Sequence, residues 1–209
     1  VQVIKKVETD FIQHKEDYTK QSEYPIVNLF KNSNLDSKTN YFFATGCIFN
    51  AINNEFIVSQ FASGNGQIWQ NVITDIGNKY YVKIDMLSDD SQDNLSIANI
   101  YAYETEKHTH SGSGEFEKLS LIFTAVSTTY TYIRILTTKA NRQPSGVDVR
   151  LKKPLCIDLT ELYGSGNEPS IQEFEEVLSK FPDYWFEEKA NLVTFKELVD
   201  DFKLEQSNI

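Results

Sequence analysis

The sequence predicts a mainly β fold, a jelly-roll antiparallel β-sandwich with an N-terminal coiled-coil helix and short C-terminal helices. Three observations carry that prediction. Between residues 40 and 155 the chain is a succession of short alternating runs separated by Gly, Asn, Asp and Ser clusters. Nothing in that span sustains a helical period, which argues against a βαβ architecture and for two packed antiparallel sheets. Helical spacing of apolar residues is found instead near the two ends and in one short stretch after residue 170.

Residues 1–24 come first as the coiled-coil helix. Ile4, Val7, Phe11, His14 and Tyr18 fall at alternating spacings of three and four, the seam of a heptad repeat, and form the predicted oligomer interface. Asp10 and Lys15 flank the seam where charges of neighbouring chains meet, and Pro25 ends the helix. The other reading of this stretch is an amphipathic helix lying on its own sandwich.

The sandwich spans 25–163, with strands predicted at 47–52, 55–61, 66–72, 79–87, 96–104, 115–125, 129–137 and 147–151. A further strand is predicted where Leu155, Ile157 and Leu159 alternate with Cys156, Asp158 and Thr160. Residues 164–187 then supply a closing loop and helix. The turn is GSGN, and Ser170 with Glu173 makes a capping box for the helix that follows. Ile171, Phe174, Val177 and Leu178 give that helix one apolar face and leave Glu173, Glu175 and Glu176 to water. Phe181 and Pro182 stop it. Residues 188–209 are predicted as a terminal helix, with Leu192, Phe195, Val199 and Phe202 at helical spacing.

Composition narrows the function. The 209 residues, 40% hydrophobic and 24% charged, suit one core with appended helices rather than two large domains. A net charge of −10 opposes the phosphate backbone of nucleic acid. No apolar run reaches the roughly 18 residues of a membrane-inserted helix. Cys47 and Cys156 both fall in predicted strands, where a small buried thiol is usual, and two cysteines are too few for a disulfide scaffold.

Candidate sites follow from side-chain chemistry. Sugars need aromatic faces for their C–H surfaces, with amides, carboxylates or guanidinium groups nearby for their hydroxyls. Alternation places Tyr130, Tyr132 and Arg134 on one face, with Ile133 and Ile135 on the other. Tyr101 and Tyr103 share a face with Asn99, Trp69 lies between Gln67 and Gln70, and Tyr81, Lys83 and Asp85 form another set. Tyr101, Tyr103, Tyr130, Tyr132, Arg134 and Trp69 are the candidate carbohydrate-binding residues. Their alternative role is to cover a half-exposed sheet or a subunit interface.

His108 and His110 form an H-x-H pair whose imidazoles could point the same way, so that a trimer would gather three pairs around a metal; an exposed polar loop is the other reading. Asp148, Asp158, Asp89, Asp90 and Asp93 offer oxygens to a structural calcium ion, yet SDDSQDN lacks the D-x-D-x-D-G spacing of a calcium loop. No cofactor is therefore assigned, and a structural metal ion stays open. Glu104, Glu106, Glu115 and Glu117 gather around one loop as paired carboxylates for glycoside hydrolysis would. No H-E-x-x-H, G-x-S-x-G, P-loop or C-x-x-C motif accompanies them.

Residues 155–186, LCIDLTELYGSGNEPSIQEFEEVLSKFPDYWF, closely resemble a segment of tail proteins from phages and prophages of Gram-positive bacteria. In that family the segment follows a jelly roll that looks like a carbohydrate-binding module, and Asn28-Leu29-Phe30 is similar to the start of the domain. The strong match covers 155–187 and a looser one 28–154, leaving both helical ends outside it. The resemblance implies a virion tail or tail-fibre component, synthesised in the bacterial host cytoplasm and assembled as a homotrimer with other tail proteins. The resemblance implies the receptor-binding part and gives no ligand. Weak sugar contacts presented three at a time suit attachment to a repetitive cell-wall polysaccharide or teichoic acid, and the missing catalytic motifs lead to the expectation of no enzymatic activity. A trimeric structural spacer and a cell-wall glycan depolymerase are the alternatives. The shared segment itself reads as scaffold.

Overall fold

Alternation of apolar and polar residues resolves into two antiparallel sheets in the computed structural model. It describes residues 26–37, 39–43, 47–60, 66–98, 104–126, 131–137, 148–179, 181–186 and 189–190, to which the following account is confined. The first sheet has the order β2 (Phe42–Phe43), β5 (Gly66–Val72), β10 (Thr131–Thr137), β7 (Asn94–Ala98), β8 (Glu104–Thr109). The second has the order β3 (Cys47–Ile52), β4 (Glu55–Gln60), β11 (Val149–Asp158), β6 (Lys79–Leu87), β9 (Phe116–Thr124). Both belong to a unit of residues 28–188. In the other unit, β1 (Ile26–Val27) pairs antiparallel with β12 (Lys189–Ala190). No helix among the described residues is long and apolar enough to cross a membrane.

The core is made by every second residue of the facing strands. Ile68, Ile133, Ile135, Leu95 and Ile97 come from the first sheet, and Phe56, Val82, Ile84, Met86 and Leu121 from the second. Each such side chain contributes about 1.5–3 kcal/mol by leaving water. Phe30, Leu35 and Tyr41 join the same cluster from the segment before β2. That segment is held by Gln70, whose side chain accepts from the Lys31 N–H and donates to its carbonyl, each at 2.8 Å.

β11 contains one residue more than its partner. Lys152 lies opposite Asp85 and Leu155 opposite Lys83, so Lys153 and Pro154 together face the single residue Ile84. Lys153 takes a left-handed backbone, φ 55°. Across this bulge the strand changes parity. Val149 and Leu151 point into the core before it and Cys156 after it, which sends Leu155 and Ile157 to the outer face.

The outer pair needs cover, and the following residues supply it. α1 (Leu159–Tyr163) and α2 (Ile171–Leu178) bring Leu159, Phe174 and Leu178, all fully buried, with the Phe174 ring 4.9 Å edge-on from Tyr81. The predicted capping box is present: Glu173 N–H donates to Ser170 Oγ at 3.3 Å, and Ser170 N–H to Glu173 Oε2 at 2.8 Å. Glu175 departs from expectation, since it does not simply face water. Its carboxylate accepts from Tyr81 Oη (3.1 Å), Ser120 Oγ (2.8 Å) and Lys118 Nζ (2.5 Å), pinning α2 to β6 and β9.

Three further boundaries differ from the sequence expectation. Residues 96–104 are not one strand: β7 ends at Ala98 and a separate β8 begins at Glu104, so His108 lies in a strand rather than a loop. The strands expected at 147–151 and 155–159 are one, because the bulge lets β11 run through Pro154. Leu159 and Thr160 are helical, because the Asp158 carboxylate caps α1 by accepting from Glu161 N–H at 2.8 Å. The coiled-coil residues Ile4, Val7, Phe11, His14 and Tyr18, and the predicted helix over 191–209, lie outside the described residues.

Asn28 closes the domain on itself. Its Nδ2 donates to the carbonyls of Pro154 (3.2 Å) and Phe186 (3.1 Å), and its Oδ1 accepts from the N–H groups of Phe30 (3.1 Å) and Cys156 (3.0 Å). All four hydrogen-bonding positions of the buried amide are filled. Trp185 Nε1 donates to the same Pro154 carbonyl at 3.0 Å. Asn28→Ala strands these buried partners and is expected to lower unfolding free energy by about 3 kcal/mol. Asn28→Asp, which cannot donate to either carbonyl, is expected to cost at least as much. Urea denaturation of both variants checks this, and a loss confined to Asp would contradict it.

Candidate functional site

Residues directly opposite one another on antiparallel strands share a face. On the first sheet the register aligns Phe42 with Trp69, Trp69 with Arg134, Arg134 with Ser96 and Ser96 with Lys107. These positions form one row across all five strands, about 19 Å long at the usual strand spacing. Ile68, Ile133 and Ile97 occupy the core on the opposite face, so the row points outward.

The row has an aromatic end and a polar end. Phe42 is 49% exposed, and its ring stacks on that of Trp69 at 5.8 Å with an interplanar angle of 16°. Arg134 is half-buried beside Trp69 and donates through Nε to Ser96 Oγ at 3.1 Å, which orients its guanidinium plane. Tyr132 follows along β10, opposite Asn71 and Ala98. Asn71 Oδ1 and Asn94 Oδ1, both on this face by register, are buried acceptors without a hydrogen-bond partner. Flat apolar rings beside a guanidinium and amide groups can hold a ligand that is apolar on its faces and polar at its rim.

The sequence-predicted residues divide accordingly. Trp69, Tyr132 and Arg134 come together on this face. Tyr101, Tyr103 and Tyr130 lie outside the described residues. Phe42, the most exposed ring of the row, was missed, because a Phe-Phe pair in a two-residue strand has no alternation to show which ring faces out.

The set at Tyr81, Lys83 and Asp85 does share a face, but it is the one under α2. Tyr81 and Lys83 are fully buried there, and Lys83 Nζ sits 3.4 Å from Asp85 Oδ1. Burial pushes the Tyr81 phenol well above its ordinary range, with the Glu175 charge adding to it. Burial also pulls the Lys83 ammonium down, opposed by Asp85. Neither can form an open platform.

The H-x-H pair does not converge. His108 is exposed and its Nδ1 accepts from Ser120 N–H at 2.9 Å, tying β8 to β9. His110 is buried beyond the end of β8. Its Nδ1 accepts from Gly112 N–H at 2.8 Å, so Nε2 carries the proton toward the carbonyls of Met86 (3.1 Å) and Glu115 (3.2 Å). Both nitrogens are used, leaving His110 no lone pair for a metal. Three of the five aspartates act as turn anchors: Asp158 caps α1 and accepts from Asn78 Nδ2 at 2.9 Å, Asp93 accepts from Ser88 Oγ at 2.5 Å, and Asp90 from Gln92 N–H at 3.0 Å. Among the described residues no three His, Cys, Asp or Glu side chains gather as metal ligands would. Cys156 is a free, buried thiol whose pKa burial raises.

Glu117, one of the clustered carboxylates, anchors the SGSG loop. It accepts from Ser111 N–H (2.9 Å), Ser111 Oγ and Ser113 Oγ (2.6 Å). Burial favours the neutral acid, but these hydrogen bonds outweigh it and hold the pKa down at about 2. A carboxyl held that low does not serve as a general acid near neutrality.

The chain is thus a two-sheet antiparallel β-sandwich with an aromatic-to-cationic row on the outside of one sheet. No known family description and no curated protein matches it. Solved structures do. The enzymatically active domain of tailspike protein 4 of bacteriophage CBA120 is 10% identical with a TM-score of 0.47, and the match covers 62% of this chain and 21% of that one. A CBM4 structure is 10% identical with a TM-score of 0.47, covering 61% of this chain and 98% of that one. TmCBM61 in complex with β-1,4-galactotriose is 13% identical with a TM-score of 0.43, covering 63% and 98% respectively. The chain therefore spans about a fifth of the tailspike domain and nearly all of the two modules.

The depressed Glu117 pKa has a measurable consequence. The loop it anchors is held fully at pH values above the ordinary carboxyl value of 4.5, and that hold is lost as pH falls toward 2. A carbon-detected NMR titration is expected to place the Glu117 midpoint near 2, with Ser111→Ala and Ser113→Ala together returning it toward 4.5. An unshifted midpoint in the parent protein would contradict the anchoring role.

Proposed function

We propose that this protein binds carbohydrate on the outer face of its first sheet and serves as an attachment component of a phage or prophage tail. The exposed Phe42–Trp69 stack, in line with Arg134 and Ser96, carries the reading. A pyranose lays its C–H face on an aromatic ring, while its hydroxyls take hydrogen bonds from donors at the ring edge. Phe42, Trp69 and Arg134 lie on three neighbouring strands, about 10 Å across, which suits a short stretch of a sugar chain. Phe42 is 49% exposed and Trp69 and Arg134 keep partial exposure, whereas Tyr81 and Lys83 on the other outer face are buried where α2 packs. The tail setting rests on the resemblance of residues 155–186. In that setting the ligand is a cell-wall polysaccharide or teichoic acid, and a homotrimer would strengthen individually weak contacts by avidity.

Phe42→Ala combined with Trp69→Ala is expected to weaken binding to host cell-wall polysaccharide by at least about tenfold, from two lost stacking contacts. Affinity electrophoresis or isothermal titration would measure it, and unchanged affinity would sink the platform.

The structural-spacer reading has its own supporting observation. Ile73 (75% exposed), Ile76 (61%) and Val126 (70%) lie at one end of the sandwich, where Gly77 N–H bonds the Ala125 carbonyl at 2.9 Å. Exposed aliphatic side chains in one place suit a subunit contact. Light scattering is expected to give about three times 24.0 kDa, decreasing when Ile76→Ser and Val126→Ser are combined. A parent mass of 24.0 kDa would exclude the trimer.

A further inference from the structure

The uncovered part of the second sheet's outer face is chemically unlike the rest of this acidic chain. Lys118, Asp85 and Lys152 lie opposite one another in a row across β9, β6 and β11. Phe116, Leu87 and Arg150 form the adjoining row. Lys152 Nζ sits 3.6 Å from the centroid of the Phe116 ring, and Arg150 Cζ 5.7 Å from it. On the other side Lys118 Nζ lies 5.3 Å from the ring of Tyr184, which is 44% exposed.

Two backbone irregularities build this patch. The β11 bulge keeps both Lys152 and Lys153 out of the core, where regular alternation would have buried one of them. Asp183 and Tyr184 have φ values of 60° and 55°, a conformation costly for non-glycine residues that gathers at functional sites. Asp183 pairs with Lys153 at 3.0 Å, which holds the Tyr184 turn against the bulge. Lys118 is paired with Glu175 and Arg150 with Glu55, whereas Lys152 makes no close ion pair among the described residues and feels Asp183 only at longer range.

We propose that this face is a second binding site, selective for an anionic saccharide bearing phosphate or carboxylate groups. Lys152 receives the charge and the Tyr184 ring offers a stacking surface, while Lys118 and Arg150, offset by Glu175 and Glu55, flank it. Lys118 and Lys152 are two strands apart, about 10 Å, so the site takes a short oligomer rather than one sugar. The site is distinct from the Phe42–Trp69 row on the opposite sheet and does not depend on it.

The test is an NMR-monitored titration of the whole 209-residue protein with three probes: oligogalacturonate, a glycerol-phosphate oligomer and neutral cellohexaose. At least one anionic probe is expected to shift amides around Lys152, Lys118 and Tyr184, with weaker binding as salt rises. Lys152→Gln and Tyr184→Ala are each expected to reduce that affinity about threefold to fivefold, with Lys152→Arg restoring it and Trp69→Ala leaving it unchanged. Which anionic probe binds identifies the charge the site prefers. The proposal is overturned if neither anionic probe binds at millimolar concentration, if their shifts map to Trp69 and Arg134 instead, or if folded Lys152→Gln binds as the parent does.

Discussion

The arrangement of this domain depends on one extra residue in β11. Without Lys153 and Pro154 sharing the place opposite Ile84, the strand would keep one parity throughout. Cys156 would then turn out of the core, and Leu155 and Ile157 would turn into it. With the bulge, one strand serves two hydrophobic layers, the core between the sheets and a smaller one outside the second sheet. The Pro154 carbonyl, left out of the β11–β6 pairing by the same irregularity, becomes the point where Asn28 and Trp185 meet. The beginning and end of the unit are thus tied to the middle of its central strand by buried and part-buried hydrogen bonds.

That second layer decides which surfaces remain for ligands. α2 covers Tyr81 and Lys83, and its hold is largely polar at the rim, where Glu175 gathers three donors from β6 and β9. Lys83 is the cost of this arrangement, a buried ammonium balanced only in part by Asp85. Among the described residues the helices pack on the second sheet. The aromatic row of the first sheet remains open at Phe42, and the amide oxygens of Asn71 and Asn94 remain without partners there.

Much of this was legible in the sequence because period-two alternation follows from strand geometry alone. The strands around Lys79–Leu87 and Gly66–Val72 were placed to the residue, since turn residues bound them on both sides. The capping box at Ser170 was readable for a similar reason, as its partners are three residues apart. His110 was not: whether an imidazole faces a metal or two carbonyls depends on Met86, which is distant in sequence. Glu175 looked solvent-exposed by helical position, because nothing local announces Tyr81 and Ser120. The division at Ala98 escaped notice because the alternating pattern of Ser96 continued past it.

The sequence by itself determined that this chain would build an antiparallel sandwich closed by a capped helix, since alternation, turn chemistry and capping act over a few residues. Tertiary structure alone decided that the Tyr81 face is covered and that the Phe42 ring stays exposed. That choice turns on a bulge, on the layer it creates and on the register that sets Phe42, Trp69, Arg134 and Ser96 in line. Register between strands far apart in the chain arises from the packing of the whole core, and no local pattern encodes it.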